Sequence, residues 1–369
     1  MSTEPPVPET SVLAVASHVV SGNVGNKIAV FVLQSMGCNV SALNTVQFSN
    51  HTGYRQWKGT RVSAQEITDL WDGLKQSYLD DIDMMLSGYV PGAEAVTAVG
   101  EIGKELRHKS EEAGKPGNFF WVLDPVMGDN GRLYVAETVV PAYKSLLHYA
   151  DVILPNQFEA ELLSGVKITD RDTLEHAIRV LHREFGVPHV VITSVSIPLF
   201  SSPSAATPQT PRTMSVVGSS MTSSDRQPRA FKISFPVFEA YFSGTGDMFA
   251  ALMVVRMREA VAKYDMLSNG VGKGTKLGER RSWLSDDTVD ALDLPLARAA
   301  EKVLASMHEV LERTCASMNV ELKAAIERRG GDVDEKTLHL LKSKAAELKL
   351  ARNLGCLRDP TIEYRAEKM

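Results

Sequence analysis

The sequence predicts an α/β fold in which a doubly wound, mostly parallel central sheet carries helices on both faces. Short apolar runs recur along the chain, and stretches with helical periodicity separate them. The run FFWVLD at residues 119–124 is apolar up to its final acid, which is typical of a strand covered on both faces. At 369 residues, the chain is long enough for one large α/β domain or for two domains.

The predicted strands are short apolar runs that end at polar or turn-forming residues. The first, SVLAVA, precedes the glycine-bearing turn SGNVGN and then a helical pattern, which indicates a strand, a turn and a helix in succession. We predict strands at residues 11–16, 40–46, 84–89, 119–124, 152–155 and 189–194, and ordered structure again at 230–241.

The predicted helices carry recognisable start and stop signals. Gly37 and Gly186 mark the ends of two helices, and Ser63 with Glu66 fits a capping box at the start of another. We predict helices at residues 27–37, 63–78, 92–108, 158–165, 171–185, 246–263, 295–318 and 334–350.

Two segments interrupt the alternation of strands and helices. Residues 196–228 include 19 Ser, Thr, Pro or Gly residues, so we predict a flexible insertion, either a surface loop or a mobile cover over the site. Residues 265–294 are polar and Gly-rich and predict a second insertion. We therefore expect a flexible N-terminus at 1–10, one domain at 11–318 with both insertions, and a helical C-terminal extension at 319–369.

Composition excludes several functional classes. Lys and Arg number 40 against 45 Asp and Glu, a net charge of −5 that argues against a nucleic-acid-binding protein. Only three cysteines are present, the start MSTEPPVPET lacks the features of a signal peptide, and no apolar run is long enough for a membrane span. We expect a cytoplasmic protein that binds neither nucleic acid nor membrane.

The most specific motif is Gly244-Thr245-Gly246-Asp247, which precedes a helical pattern. Glycines at a strand-to-helix junction let the backbone approach a ligand closely, and the free amides of the helix start attract an anion. An acid in the same turn would repel a bound phosphate, but it suits a hydroxyl that must lose its proton. The motif therefore suggests phosphoryl transfer to an alcohol, with Asp247 as a simple N-cap the alternative.

Acidic and amide side chains follow two other predicted strands. Asp124 and Asp129 come after FFWVL, where two carboxylates can hold Mg²⁺ against nucleotide phosphates, or can simply form a turn. Asn156 and Glu159 follow the strand VILP and can bind phosphate oxygens and metal-bound water. Their alternative role is an N-cap with a favourable first-turn acid.

Hydroxyl groups end two further strands. Thr193 and Ser194 close VVITS and are either ligand-binding groups or ordinary polar strand ends. Ser17 and His18 close the first strand, and residues 22–26, GNVGN, lack the G-x-G-x-x-G spacing of a dinucleotide site.

Together these motifs follow successive strand ends in one chain, and the set is similar to the ribokinase-like superfamily of small-molecule kinases. Within it, the sequence most resembles the pyridoxal kinase family. The resemblance rests on SHV at 17–19, GNVGN at 22–26, NTVQFSNHTGY at 44–54, WKG at 57–59, GY at 88–89, DPVMGD at 124–129, PNQFEAELLSG at 155–165, VITS at 191–194 and GTGD at 244–247.

The resemblance implies ATP-dependent phosphorylation of the 5′-hydroxyl of pyridoxal, pyridoxine or pyridoxamine, with Asp247 as general base and Gly244, Thr245 and Gly246 as an anion hole. It implies Mg²⁺ or another divalent cation as cofactor, and a homodimer. The implied substrate contacts are Ser17, His51, Thr52, Tyr89 and Asp247. The implied ATP contacts are Asp124, Tyr134, Asn156, Glu159, Thr193, Ser194, Phe238, Glu239, Ala240, Thr245 and Gly246. The implied metal residues are Asp124, Asp129, Glu159 and Thr193.

The sequence departs from the family pattern in two places. Leu154 stands where some members have a threonine that helps to bind K⁺ or Na⁺, so the requirement for a monovalent cation stays open. The segment 129–134 is shorter than in animal members, which leaves the role of Tyr134 open. The alternative functions are a hydroxymethylpyrimidine or sugar kinase of the same superfamily, and a catalytically silent protein that binds vitamin B6 or nucleotide.

Overall fold

The computed structural model describes residues 5–196, 212–268 and 275–369. Its strands are β1 (Ser11–Val19), β2 (Asn39–Phe48), β3 (Gly59–Arg61), β4 (Met84–Ser87), β5 (Phe120–Leu123), β6 (Gly128–Asp129), β7 (Arg132–Leu133), β8 (Val152–Ile153), β9 (His189–Val195), β10 (Thr213–Met221), β11 (Pro228–Pro236) and β12 (Glu367–Lys368).

The helices alternate with the strands along most of the chain. They are α1 (Asn26–Ser35), α2 (Ala64–Gln76), α3 (Ala93–Glu112), α4 (Val139–Leu146), α5 (Gln157–Ser164), α6 (Arg171–Arg183), α7 (Thr245–Ser268), α8 (Pro295–Glu327), α9 (Glu335–Ala345) and α10 (Leu354–Arg358). Within the described ranges, no helix combines the length and hydrophobicity needed to cross a membrane.

In the described part of the chain, ten strands form one sheet in the order β12-β11-β10-β9-β8-β5-β4-β1-β2-β3. The central strands from β9 to β2 pair in parallel, and antiparallel strands extend both edges. The predicted mostly parallel sheet is therefore confirmed.

Successive residues of β1 serve two separate cores, because neighbouring side chains of a strand point to opposite faces. Val12 and Ala14 pack with helices α1, α7 and α8 on one face of the sheet. Leu13 and Val15 pack with helices α2 to α6 on the other face. Helices thus cover both faces of the sheet, as predicted.

The order of the strands reverses at β1, which creates a topological switch point in the sheet. Strand β2 lies on one side of β1, and β4 lies on the other. In open α/β sheets, ligands bind outside the carboxyl ends of the strands at such a point. The ends of β1 and β4 are therefore the expected place for a ligand.

The prediction of a flexible insertion at 196–228 is wrong for its second half. Residues 213–221 form β10, which pairs with β9 on one side and β11 on the other. The absence of a side chain at Gly218 lets β10 and β11 pack closely, because a Cβ there would lie 2.2 Å from Cζ of Phe231 on β11. The remaining part of that prediction, residues 197–211, lies outside the described residues.

Other predicted boundaries also shift. Helix α8 runs to Glu327, so the expected domain boundary at residue 318 falls inside a helix. In the segment predicted as a second insertion, Trp283 is buried and stacks on Phe120 at 4.1 Å between ring centroids. In the N-terminal segment predicted to be flexible, Val7 and Thr10 are buried.

Candidate active site

Polar residues gather at the carboxyl ends of the parallel strands. Ser17 lies near the end of β1, Tyr89 follows β4, Asp124 follows β5, Asn156 follows β8, and Thr193 lies near the end of β9. Since these strands are neighbours in the sheet, their ends share one edge. The sequence predicted all five as site residues, and the topology brings them to the same side of the molecule.

The start of helix α7 lies at this edge. Gly244 has φ +83°, and a Cβ there would lie 2.3 Å from the carbonyl oxygen of Asn23, so the backbone fits only because glycine lacks a side chain. A Cβ at Gly246 would lie 3.8 Å from Oδ2 of Asp124. The glycine-rich helix start therefore faces the carboxylate that ends β5.

The loop after β1 packs against the same helix start. Gly25 has φ +54°, and a Cβ there would lie 2.0 Å from the carbonyl oxygen of Ser17. The amide N–H of Gly25 hydrogen-bonds the carboxylate of Asp247. Residues 22–26, which were predicted only as a turn, thus fix the acid of the GTGD motif.

Asp247 lies at the switch point of the sheet, and the pKa of its carboxyl group is shifted from the usual value. Burial raises its pKa to about 6, and the Gly25 amide opposes part of this rise. A Cβ built at Gly88, just after β4, would lie 3.9 Å from Oδ1 of Asp247. A carboxylate with a pKa of about 6 at a ligand-binding edge suits a general base at neutral pH.

Asp124 is buried among other acids. Burial raises its pKa well above the usual range, and repulsion from Glu159 and Asp247 adds to this rise. Burial likewise raises the pKa of Glu159 to about 7, although hydrogen bonds from backbone amides oppose it. The edge therefore concentrates negative charge that a bound cation would relieve.

Glu159 uses both carboxylate oxygens on backbone amides. Oε1 accepts hydrogen bonds from Met127 N at 2.8 Å and from Gly128 N at 3.2 Å, and Oε2 accepts one from Asn156 N at 2.9 Å. Asn156 in turn caps α5, with its Oδ1 accepting from Glu159 N at 2.9 Å. The alternative of a capping pair is thus realised, and Glu159 is better suited to hold metal-bound water than the metal itself.

The residues present fit a divalent cation that is bound mainly through phosphate and water. Within the described residues, no three His, Cys, Asp or Glu side chains form a complete metal site. Asp129 accepts hydrogen bonds from the neighbouring Asn130 through both carboxylate oxygens, and Asp124 supplies a buried carboxylate whose Oδ2 would lie 3.8 Å from a Cβ at Gly246. Mg²⁺ retains several waters and uses few carboxylates when it serves nucleotide phosphates.

The residues predicted for the substrate lie around the end of β1. His51 is buried, whereas Thr52 is exposed on a short 3₁₀ helix, Thr52–Tyr54. Tyr89 packs beside a small apolar cluster formed by Val19, Val24, Val46 and Phe48. The cluster is buried, so it supports Tyr89 from behind.

The residues predicted for the nucleotide lie toward the other side of the edge. Thr193 N donates to the carbonyl oxygen of Pro155 at 2.9 Å, which places the end of β9 beside that of β8, and Ser194 follows. Tyr134 is 60% exposed, and burial of its hydroxyl together with repulsion from Asp129 raises its pKa to about 12.

A cavity of about 330 Å³ is lined by Arg212, Val237, Phe238 and Glu239. Phe238 and Glu239 were predicted for the adenosine, and Ala240 N donates to the carbonyl oxygen of Phe238 at 2.8 Å. Another cavity, of about 480 Å³, lies at the amino ends of β1 and β2, where Ser11 and Asn39 line it. We assign ligand binding to the carboxyl ends, because there the ends of the parallel strands face the start of helix α7.

One site residue escaped the sequence analysis. Glu347, from the segment after α9, accepts a hydrogen bond from Asn23 N at 2.8 Å and contacts His51. Its sequence neighbourhood predicted only an amphipathic helix at 334–350, and no local pattern pointed to the site. A lone acid in a charged helix gives no signal of a contact more than three hundred residues away in the chain.

Comparisons with known proteins identify the family of the chain. A family model described as phosphomethylpyrimidine kinase matches residues 110–260. The pyridoxal kinase of Arabidopsis thaliana is 32% identical over 358 residues, covering 97% of this chain and 94% of its own. That of Homo sapiens is 31% identical over 369 residues, covering 97% and 98%. A solved structure of pyridoxal kinase from Leishmania donovani, in complex with ADP and pyridoxamine, matches with a TM-score of 0.72 and 30% identity over 98% and 99% of the two chains.

The fold and the site define a small-molecule kinase with the ribokinase-like fold. Within this class, the pyridoxal kinases of Arabidopsis thaliana and Homo sapiens identify the family, because they match nearly the whole chain. The chain belongs to the pyridoxal kinase family and is a kinase.

Proposed function

We propose that the protein transfers the γ-phosphoryl group of ATP to the 5′-hydroxyl of pyridoxal, and also of pyridoxine and pyridoxamine. The observation that carries the proposal is the carboxylate of Asp247, with its pKa of about 6, in the first turn of α7 at the switch point of the sheet. The related enzyme of Leishmania donovani has been solved with ADP and pyridoxamine, which supports the same ligand classes here.

Asp247 acts as the general base in this proposal. Its carboxylate takes the proton of the primary alcohol while the oxygen attacks the γ-phosphorus and ADP leaves. A positioned base of this kind contributes about 10²–10⁴-fold to the rate. The pKa of about 6 keeps most of the group ionised at neutral pH, so it can accept the proton.

Gly244, Thr245 and Gly246 stabilise the transferred phosphoryl group. Their backbone lies at the start of a 24-residue helix, where free amides and the helix dipole favour negative charge. Phosphoryl transfer depends mainly on positioning and on stabilising charge on the equatorial oxygens. The glycines meet both needs because they bring the backbone within reach of the phosphate.

The substrate pocket is formed by Ser17, His51, Thr52 and Tyr89. The nucleotide side is formed by those of the implied ATP contacts described above that lie from Asp124 to Ala240 in the sequence. Asp124, with Asp129, Glu159 and Thr193 near it, would hold Mg²⁺ or another divalent cation, which neutralises phosphate charge when bound. A homodimer is the assembly that the family resemblance implies.

A coupled ATP assay across pyridoxal, pyridoxine, pyridoxamine, hydroxymethylpyrimidine and ribose tests the proposal. We expect ADP release that depends on a B6 vitamer and is highest with one of the three. Preference for hydroxymethylpyrimidine or ribose would favour another kinase of the superfamily. Binding of pyridoxal without any ADP release would identify a silent binding protein. Repeating the assay with and without K⁺ resolves the cation requirement left open by Leu154, whose side chain is buried in apolar surroundings.

The pH dependence of catalysis follows from the raised pKa of Asp247. The base works when ionised, so kcat/KM for pyridoxal is expected to be constant well above pH 6 and to fall about tenfold per unit below it. Steady-state kinetics over about pH 5 to 8 measures the profile. A profile that stays flat down to pH 5 would contradict the role of Asp247, provided that circular dichroism shows a folded enzyme throughout.

A further inference from the structure

We propose that Glu347, in the C-terminal extension, is a positioning residue for the vitamin B6 pocket, because it fixes the orientation and the tautomer of His51. The inference rests on the proposed function, since His51 is placed at the substrate by that proposal. Glu347 itself does not touch the reacting atoms. It acts through the imidazole ring that it holds.

The carboxylate of Glu347 joins the two loops that flank the end of β1. Oε1 accepts a hydrogen bond from the Tyr54 hydroxyl at 3.0 Å and lies 3.1 Å from Nε2 of His51. Oε2 accepts a hydrogen bond from Asn23 N at 2.8 Å. One side chain therefore ties residues 22–26 to residues 49–54, the two segments on either side of the pocket.

The carboxylate is enclosed where it makes these contacts. The side chains of Glu347 and His51 are 13% and 10% exposed. A Cβ at Gly22 would lie 2.7 Å from Oε1 of Glu347, so a side chain there would displace the carboxylate from this position. The hydrogen bonds from His51, Asn23 N and Tyr54 lower the pKa of Glu347 although burial opposes them, and the group is a carboxylate at neutral pH.

This carboxylate determines which ring nitrogen of His51 carries the proton. A carboxylate only accepts, so Nε2 must donate. In the neutral ring, the lone pair then lies on Nδ1. Nδ1 is buried and has no hydrogen-bond partner among the residues that the structure describes. An unpartnered buried acceptor is costly unless a ligand satisfies it, so Nδ1 is suited to accept from a hydroxyl of the substrate.

Nδ1 faces Gly53, which in turn lies close to the start of α7. A Cβ built on Gly53 would lie 2.8 Å from Nδ1 of His51 and 3.1 Å from Oγ of Ser243, the residue before Gly244. The ring is thus oriented toward the part of the chain that carries the anion hole. The Tyr54 ring packs on it at 4.6 Å between centroids, which restricts its rotation.

The extension contacts the same loops at two more points. A ring nitrogen of His339 on α9 bonds the carbonyl oxygen of Gly53 at 2.9 Å, and Asn23 Nδ2 donates to the carbonyl oxygen of Leu348 at 2.9 Å. Glu347 lies between these two contacts in the chain. The extension therefore holds both loops, and the carboxylate of Glu347 contacts the histidine.

Kinetics of Glu347→Gln tests the inference, because glutamine keeps the shape but places an amide NH₂ group where only acceptors fit. We expect KM for pyridoxal to rise roughly tenfold or more, as for loss of a hydrogen bond to a charged group. KM for ATP should stay within about twofold, because the variant leaves the nucleotide side intact. The matched control is Glu321→Gln, whose exposed carboxylate pairs with Lys349 in the same extension, and it should leave both constants unchanged.

Two further measurements separate positioning from a general structural effect. In a His51→Ala background, Glu347→Gln should change KM for pyridoxal by less than about twofold, because the two residues act as a unit. Nitrogen NMR of ¹⁵N-histidine-labelled wild-type enzyme, with His51 assigned from the His51→Ala spectrum, should show the proton on Nε2.

Additive effects of the two substitutions, a proton on Nδ1 in the wild-type enzyme, or a wild-type KM for pyridoxal in Glu347→Gln would each overturn the inference. The NMR experiment needs no variant at position 347, so it decides the matter even if Glu347→Gln does not fold. A wild-type enzyme that phosphorylates no B6 vitamer would overturn the proposed function instead, and the two failures are therefore distinguishable.

Discussion

Replacing Asp247 by asparagine is expected to lower kcat for pyridoxal phosphorylation by at least about 100-fold, because a positioned general base contributes roughly 10²–10⁴-fold. Asparagine has the same size and keeps the amide of Gly25 in contact with an oxygen acceptor. It cannot take the proton of the alcohol. Steady-state kinetics with saturating ATP and pyridoxal measures the loss, and Asp247→Ala should lose at least as much.

Binding of ATP should survive in the same variant, because Asp247 faces the alcohol in our proposal. Isothermal titration with ATP and Mg²⁺ provides this control. Asp170→Asn is the matched substitution elsewhere, since Asp170 caps α6 and asparagine caps helices equally well. Turnover of Asp247→Asn within threefold of the wild type would remove Asp247 from the mechanism.

Replacing Gly244 by alanine is expected to lower kcat by about 10²–10³-fold, the typical loss when a preorganised backbone donor is displaced. The position has φ +83°, and the new Cβ would lie 2.3 Å from the carbonyl oxygen of Asn23 and 2.7 Å from Cδ1 of Ile28. The start of α7 must therefore move away from the loop at residues 22–26. Rapid-quench or steady-state kinetics measures the effect on turnover.

A companion variant guards against simple loss of folding. Gly246 has open space apart from Asp124 Oδ2 at 3.8 Å, so Gly246→Ala should fold and yet place a methyl group at the anion hole. Gly73→Ala is the control, because a Cβ on that exposed helix position meets nothing within 4 Å. If Gly244→Ala and Gly246→Ala both keep wild-type kcat with unchanged thermal unfolding, the anion hole lies elsewhere.

The parallel core of the sheet could be predicted because its strands carry their own signal. Runs such as FFWVLD are apolar throughout, and glycines or capping residues mark where the helices start and stop. Strand β10 could not be predicted in this way. Its sequence TMSVVGSSM is rich in serine, and its stability comes from neighbours far along the chain, such as Phe231, whose ring covers Gly218.

The residues of the site divide in the same way, into those that local sequence predicts and those that depend on contacts far along the chain. Asp247, Asp124 and Asn156 stand directly after predicted strands or in glycine-rich turns, so topology alone brings them to one edge. Glu347 lies in a segment predicted only as an amphipathic helix, and its contact with His51 depends on how the extension folds back over the domain. The capping role of Glu159 was foreseen, but the use of both its oxygens depends on the turn after β5.

The burial of α7 has a consequence for motion during turnover. From Met248 to Met257, every residue of the helix is buried, so the helix is surrounded by the core over several turns. Displacing this stretch would expose apolar surface on all sides, and such segments open only at a free energy close to that of complete unfolding. Asp247, the proposed base, directly precedes this stretch, so we expect any closing movement around a substrate to come from peripheral segments such as those bearing the exposed Trp57 and Tyr134.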